Sequence, residues 1–180
     1  AGWRYRDNPE ARSSMLGHIY LVGDGGELRV DVLRSVTGLT GADLTMTEEL
    51  RFVDGRTYLL PAPEVILKAK IANLCEHKQK DRQDARHAQI MISCNRHYLA
   101  DYYGAALTGE IPERDAVDRF MATHRVIHSP KAELMDTQYG LGLKESIPPF
   151  DSLGELERLP KLLSFYDHQI SRRQGPRFSV

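Results

Sequence analysis

The sequence predicts an α+β fold in which a small antiparallel sheet is followed by a helical C-terminal half. Residues 27–33 alternate strictly between polar and apolar side chains, which is the pattern of a half-buried strand. After Pro61 the apolar residues recur at helical spacing, as at Leu67, Ile71 and Leu74. Because strands come first and helices follow, the order favours α+β over alternating α/β.

The elements before Pro61 are predicted to be short. The first dozen residues are polar and rich in arginine, which predicts a loop. The next elements are a hairpin of strands 18–22 and 27–33 around a glycine-rich turn, a loop with a helical turn at 38–50, and a second hairpin at 51–60 around Asp54 and Gly55.

Helices are predicted throughout the rest of the chain. Pro63 suits the first turn of the first helix, and Gly104 suits the end of the second. The later helices are expected at about 81–103, 112–128 and 152–171, with a Gly- and Pro-rich linker at 137–149. This pattern divides the chain into a core of residues 1–104 and a helical C-terminal region of residues 105–180.

Composition sets limits on the function. The 180-residue chain carries a formal net charge of −1 at pH 7, so its overall charge does not indicate nucleic acid or an anionic membrane as a partner. No stretch approaches the roughly 18 uncharged apolar residues that a membrane span needs, so we expect no membrane partner. Cys75 and Cys94 stand alone in helical segments, which is typical of a reducing, cytoplasmic setting.

Three motifs carry the functional signal. Asp31 stands in mid-strand between apolar neighbours, and residues 58–70 read as leucines, a Pro-Glu step, an apolar run and then Lys70. Lys80 and Asp81 are followed by Asp84 at the start of the next predicted helix. Together these motifs resemble the later part of the polymerase-β-type nucleotidyltransferase superfamily, including the toxin-type enzymes of bacterial abortive-infection systems.

The resemblance implies transfer of a nucleotide from an NTP to a hydroxyl acceptor, with Mg²⁺ held between carboxylates and the triphosphate. It implies that Asp31 is the third catalytic carboxylate, which binds Mg²⁺ and orients the attacking hydroxyl. Lys70 is implied to face the triphosphate, with Lys80, Asp81 and Asp84 beside the nucleotide. The acceptor stays open, as does any homo-oligomer or regulatory partner.

One departure from the family pattern leaves two interpretations open. The family places an Asp-x-Asp or Asp-x-Glu pair after a glycine turn, on strands that precede the third carboxylate. Residues 1–30 contain no such pair, and Asp24 has no acid two residues on. Either the full-length protein carries the pair upstream, or the chain is a catalytically inactive relative that acts as a binding or regulatory module.

The same residues also have simpler interpretations. Asp31 suits the solvated face of an amphipathic strand. Asp81 and Asp84 suit the first turn of a helix, with Asp81 as the N-cap residue and Asp84 at the positive end of the helix dipole. Lys70 shares a helical stripe with Asn73 and His77, which is either a phosphate-facing surface or an ordinary exposed face.

Overall fold

A computed structural model describes residues 4–9, 14–23, 26–51, 53, 55–79, 82–149 and 156–171. The fold class is confirmed, with antiparallel strands first and helices after them. The strands are β1 (Arg4–Asp7), β2 (Met15–Gly23), β3 (Gly26–Leu33), β4 (Thr47–Arg51) and β5 (Thr57–Pro61). The helices are α1 (Pro63–Glu76), α2 (Asp84–Thr108), α3 (Glu113–Ile127), α4 (Pro130–Tyr139) and α5 (Pro160–Ser171).

The first three strands form one antiparallel sheet in the order β1-β2-β3. The predicted N-terminal loop is wrong at residues 4–7, because these residues pair with the free edge of β2. Tyr5 lies opposite Ile19, and its hydroxyl donates to the Leu16 carbonyl at 3.3 Å. A cross-strand pair of an aromatic and a β-branched residue, here Tyr5 and Ile19, stabilises a strand whose other residues are polar.

The two faces of this sheet differ in chemistry. In the β2–β3 register His18 lies opposite Asp31, which makes that face polar. Ile19 lies opposite Val30 on the other face, next to Tyr5. These three apolar side chains are between 36% and 53% exposed, so this face adds little to the hydrophobic core. The core is formed by the helices instead.

The second hairpin, β4–β5, pairs Glu48 with Leu60 and leads directly into α1. The hairpin was predicted at 51–60, but β4 begins at Thr47, inside the predicted loop, and Asp54 of the predicted turn lies outside the described residues. The Ala62 amide donates to the Met46 carbonyl at 2.9 Å, which fixes the hairpin against the start of α1.

Two hydrophobic clusters make up the described core. The first lies where α1, the start of α2, α4 and the turn after α4 meet, and it includes Leu67, Ile71, Ile92, Met135 and Leu143. The second joins the later part of α2 to α3 and α5, and it includes Leu99, Tyr103, Phe120 and Leu162. Ile147 packs against both clusters. In the described part of the chain, no helix is both long enough and apolar enough to cross a membrane.

Helix α2 is longer than the sequence predicts. It begins at Asp84 rather than near 81, and it continues through Gly104 to Thr108. A glycine ends a helix when its backbone turns left-handed, and that occurs at Gly109, with a φ of 78°. Residue 104, where we expected the first domain to end, therefore lies inside a helix.

The predicted linker at 137–149 is wrong. Its first residues belong to α4, which Ser129 caps by accepting a hydrogen bond from the Ala132 amide. The chain after α4 is held by Asp136, whose Oδ1 accepts from the Gly142 amide at 2.8 Å and the Leu143 amide at 3.3 Å. A side chain that satisfies two backbone donors builds a compact turn out of Gly-rich sequence. The last helix begins at Pro160 rather than near 152, and a 3₁₀ turn at Leu156–Arg158 precedes it.

The loop between β3 and β4 attaches the three-stranded sheet to α1. Gly38 has a φ of 77°, and a Cβ built there would lie 2.2 Å from the Ala72 Cβ. Lys68 on the same helix donates to Asp43 Oδ1 of the loop at 2.7 Å. The glycine therefore permits an approach to α1 that no larger residue allows.

We expect Gly38→Ala to lower the free energy of unfolding by about 2–4 kcal/mol, because left-handed strain and steric overlap act together. Gly109→Ala is the matched control, since Gly109 has nearly the same φ, 78°, and no atom within 4 Å of the added Cβ. It should cost only about 1 kcal/mol. Urea denaturation of both variants measures the difference, and equal losses would show that the contact with Ala72 is unimportant.

Candidate functional site

The structure brings Lys70 and Asp84 together at the junction of α1 and α2. Lys70 Nζ lies 3.6 Å from Asp84 Oδ1. Asn73, one turn further along α1, donates from Nδ2 to the same oxygen at 3.4 Å. Lys70 and Asn73 of the predicted stripe therefore face the start of the next helix, because residues three apart lie on one side of a helix. His77 does not continue the stripe, since it follows the last residue of α1 and its Nε2 lies 3.2 Å from Thr37 Oγ1.

A second cation completes this group. Arg82 Nε donates to Asp84 Oδ2 at 2.5 Å. We call Lys70, Asn73, Arg82 and Asp84 the Asp84 cluster. The Asp84 side chain is only 5% exposed, whereas those of Lys70 and Arg82 are 27% and 41% exposed. One carboxylate thus faces two cations, and both cations reach solvent.

Asp84 is held in its charged form. Burial alone would raise the pKa of Asp84, but the hydrogen bond from Arg82 and the charges of Arg82 and Lys70 outweigh it. The net result is a pKa below the ordinary value for aspartate. At neutral pH the Asp84 cluster therefore carries one negative and two positive charges.

The prediction of Asp81 as the N-cap residue is wrong, whereas that of Asp84 in the first turn is confirmed. Helix α2 begins at Asp84, and its N-cap residue is Gln83, which makes no side-chain capping bond. Asp84 lies in the first turn, where a carboxylate interacts favourably with the positive end of the helix dipole. Lys80 and Asp81, which the resemblance places beside the nucleotide, lie outside the described residues.

Asp31 lies on the polar face of the three-stranded sheet. Its Oδ1 accepts hydrogen bonds from His18 Nδ1 at 2.8 Å and from Arg29 Nε at 2.9 Å. These two bonds, that of Arg29 first, lower the pKa of Asp31. Its side chain is 45% exposed. Within the described ranges, no hydrogen bond or ion pair joins Asp31 to the Asp84 cluster.

The side chains around Asp31 offer few ligands for magnesium. Mg²⁺ needs several oxygen ligands in near-octahedral geometry. In the described ranges, no three His, Cys, Asp or Glu side chains are grouped closely enough to hold a metal ion. The side chains that contact Asp31 are Arg29 and His18, which donate to it rather than bind a cation.

A second polar cluster, which the sequence did not predict, lies where the β4–β5 hairpin meets the helices. Arg119 Nη2 donates to Glu48 Oε1 at 2.7 Å, and Nη1 donates to Glu64 Oε1 at 3.1 Å. Tyr98 and Tyr102 also donate to Glu48 Oε1, at 2.5 and 3.1 Å. The Arg119 guanidinium carbon lies within 6 Å of both tyrosine ring centroids, at 5.9 and 5.6 Å. We call these five residues the Arg119 cluster.

Glu64 is the unusual member of the Arg119 cluster. Its side chain is 1% exposed, and Oε2 has no hydrogen-bond partner in the described structure. Burial is the largest influence and raises the pKa of Glu64, while the charge of Arg119 offsets only part of that effect. The resemblance drew attention to Glu64 only as part of the Pro-Glu step. In the sequence, the only sign that Glu64 is buried and paired is its position among the apolar residues at the start of α1.

Removing the guanidinium should leave Glu64 buried without a counter-charge. We expect Arg119→Ala to lower the free energy of unfolding by about 3–5 kcal/mol, as is typical when one partner of a buried ion pair is removed. Arg114→Ala on the same helix is the control. Its 3.6 Å pair with Asp118 has side chains 83% and 68% exposed, so it should cost at most about 0.5 kcal/mol. Similar losses for the two variants in chemical denaturation would contradict the role of the Arg119 cluster.

The lowered pKa of Asp84 predicts an acid-dependent contribution to stability. That contribution is fully present above the unfolded-state pKa of about 3.9 and is lost as the pH falls through the lower folded-state pKa. At pH 7 we expect Asp84→Asn to cost about 1–3 kcal/mol, because it weakens two charge-assisted contacts.

The measurement is the unfolding free energy of the natural chain and of Asp84→Asn between pH 2 and 7. The difference between them should shrink at the acid end. Asp101→Asn, at an exposed position of the same helix, controls at pH 7 for the loss of a charge and should cost no more than about 0.5 kcal/mol. A difference that grows on acidification would contradict the ionised, paired state of Asp84.

Comparisons of the chain with known proteins found no match. No protein-family model matches the chain, and no curated protein or solved structure matches it.

Proposed function

We propose that the chain is a nucleotidyltransferase-like protein that binds an NTP through Lys70 and whose full-length form transfers the nucleotide to a hydroxyl acceptor. The observation that carries the proposal is the Asp84 cluster, in which a buried carboxylate holds two solvent-reaching cations side by side. That the ligand is a nucleotide is inferred from the resemblance of residues 58–84 to the nucleotidyltransferase motifs.

The charges of the Asp84 cluster support phosphate binding. Asp84 is ionised and buried, so Lys70 and Arg82 are fixed in place while one positive charge is left over. Phosphate oxygens accept charge-assisted hydrogen bonds from both lysine and arginine. Cations held in advance at the triphosphate also offset the negative charge that builds on the leaving pyrophosphate. Asp84 is a positioning residue in this scheme, and Lys70 contacts the nucleotide.

Asp31 has a narrower place in the proposal. In the full-length protein it would be one of several carboxylates around Mg²⁺, which would supply charge neutralisation at the triphosphate. The described residues offer one such carboxylate, already bonded to Arg29 and His18. Transfer therefore depends on further carboxylates, and NTP binding through Lys70 does not.

A second candidate function is a binding or regulatory module without catalysis. The observation that favours it is the state of Asp31, whose Oδ1 accepts from both His18 and Arg29 on its own sheet. A carboxylate whose Oδ1 is bonded to an arginine is a weaker metal ligand and a weaker base, because the positive charge beside it offsets its own.

The test of NTP binding uses titration calorimetry with ATP and the 180-residue chain. Lys70→Ala should weaken ATP binding about tenfold or more, because it removes a charge-assisted phosphate contact. Lys161→Ala, an exposed lysine on α5, is the matched control and should leave the affinity unchanged. Equal affinity in both variants would rule out Lys70 as a triphosphate contact.

The test of transfer uses labelled NTPs, Mg²⁺ and candidate hydroxyl acceptors. The 180-residue chain should give no transfer, since one carboxylate holds too little charge for the metal. Transfer by a longer form of the protein, abolished by Asp31→Asn, supports the enzyme. Lack of transfer by both forms, with ATP binding intact, favours the binding module. Robust transfer by the 180-residue chain would show that the catalytic acids lie elsewhere.

A further inference from the structure

A cleft lies between the middle of α2 and the turn that follows α4. Its volume is about 650 Å³. Small-molecule sites in proteins span about 300–1,000 Å³, so the cleft is large enough for a metabolite. One wall carries Arg96 and His97 of α2, the opposite wall carries Glu145, and Ile92 and Leu141 form an apolar floor.

The walls of the cleft are held by the core. Ile92 and Leu141 are 4% and 5% exposed and belong to the first hydrophobic cluster. The turn opposite α2 is fixed by Asp136, which accepts hydrogen bonds from the Gly142 and Leu143 amides. A site whose walls are fixed before binding loses less entropy when a ligand arrives.

The α2 wall offers the Arg96 guanidinium to an anion. Among the residues that the structure describes, no carboxylate pairs with the exposed Arg96 guanidinium. His97 Nδ1 lies 2.8 Å from the Ser93 carbonyl oxygen, which only accepts, so Nδ1 carries the proton of that bond. His97 Nε2 is therefore left as an acceptor, which can bind a donor group of a ligand but not its anionic group. A guanidinium with all its donors available binds carboxylate or phosphate through two parallel hydrogen bonds.

The opposite wall restricts the choice of ligand. A Cβ at Gly142 would lie 3.1 Å from Glu145 Oε1, which places the Glu145 carboxylate beside Gly142 in the wall formed by the turn after α4. A carboxylate repels a bare anion and accepts hydrogen bonds from an amine or hydroxyl. The cleft thus combines a cationic wall, an acidic wall and an apolar floor.

We infer that this cleft binds a small organic anion, a carboxylate or a phosphate ester, whose apolar or planar body also presents a hydrogen-bond donor to Glu145. Arg96 holds the anionic group, and the body rests on Ile92 and Leu141. The inference does not depend on the nucleotidyltransferase proposal, because it uses none of the residues of the Asp84 cluster.

The test uses two anionic probes and their anion-free counterparts. AMP carries a phosphate and an amine on a planar body, and adenosine lacks the phosphate. L-phenylalanine carries a carboxylate and an amine on an apolar body, and phenethylamine lacks the carboxylate. Binding is followed by nuclear magnetic resonance, through the amide signals of Gly140 and Gly142 in the cleft wall. At least one anionic probe should bind about tenfold or more tightly than its counterpart.

Variants assign the binding to the cleft. Arg96→Ala should abolish the advantage of the anionic probe, and Arg125→Ala, at an exposed position on α3, should retain it. Glu145→Gln should improve binding of inorganic phosphate, because the repulsion from the acidic wall is removed. Lys70→Ala should leave the Gly140 and Gly142 shifts intact, which separates this cleft from binding at the Asp84 cluster.

The probe that binds identifies the source of the anion. Preference for AMP indicates a phosphate ester, and preference for L-phenylalanine indicates a carboxylate, and both support the inference. The inference is overturned if neither anionic probe moves the two glycine signals at millimolar concentration. It is also overturned if Arg96→Ala and Arg125→Ala affect binding equally.

Discussion

One guanidinium joins the β4–β5 hairpin to three helices. Arg119 of α3 is bonded to Glu48 of β4 and to Glu64 of α1, and it lies within cation–π distance of Tyr98 and Tyr102 of α2. Four elements that are far apart in the chain thus converge on one planar cation. A guanidinium specifies the arrangement of its neighbours more narrowly than apolar packing does, because its five donors lie in one plane and fit few arrangements of acceptors. The hairpin, which buries little apolar surface of its own, is held against the helices by this cation.

The two polar clusters use the same chemistry with opposite balances of charge. The Arg119 cluster sets one cation against two acids, and burial keeps the pKa of Glu64 high. The Asp84 cluster sets two cations against one acid whose pKa is low. The two acids of the Arg119 cluster join neighbouring elements through one cation. The excess positive charge of the Asp84 cluster reaches solvent and is able to bind an anion. This difference, rather than burial or proximity alone, is why the Asp84 cluster is the stronger functional candidate.

Local periodicity explains what the sequence could predict. Alternation in residues 27–33 gave β3, and helical spacing put Lys70 and Asn73 on one side of α1. The side chains that decide the tertiary structure are not visible in such patterns. Glu48 and Arg119 are 71 positions apart and belong to segments that each look ordinary. Strand β1 formed because β2 offered a free edge, and the turn after α4 formed because Asp136 accepts two amides. Asp84 was predicted at a helix start, but its burial against Lys70 and Asn73 of α1 was not visible in the sequence.

The length of α2 sets the distance between the two candidate binding regions. At about 1.5 Å per residue, the cleft residues Gln89–His97 lie about 8–20 Å along the axis from Asp84. At 3.6 residues per turn, Gln89 is also rotated by about 140° from Asp84 around the helix. A single ligand that joined a group bound at the Asp84 cluster to an acid bound in the cleft would therefore need a linker that follows the helix surface around as well as along. Two separate compounds would occupy the two regions without touching, so their effects on thermal stability should add.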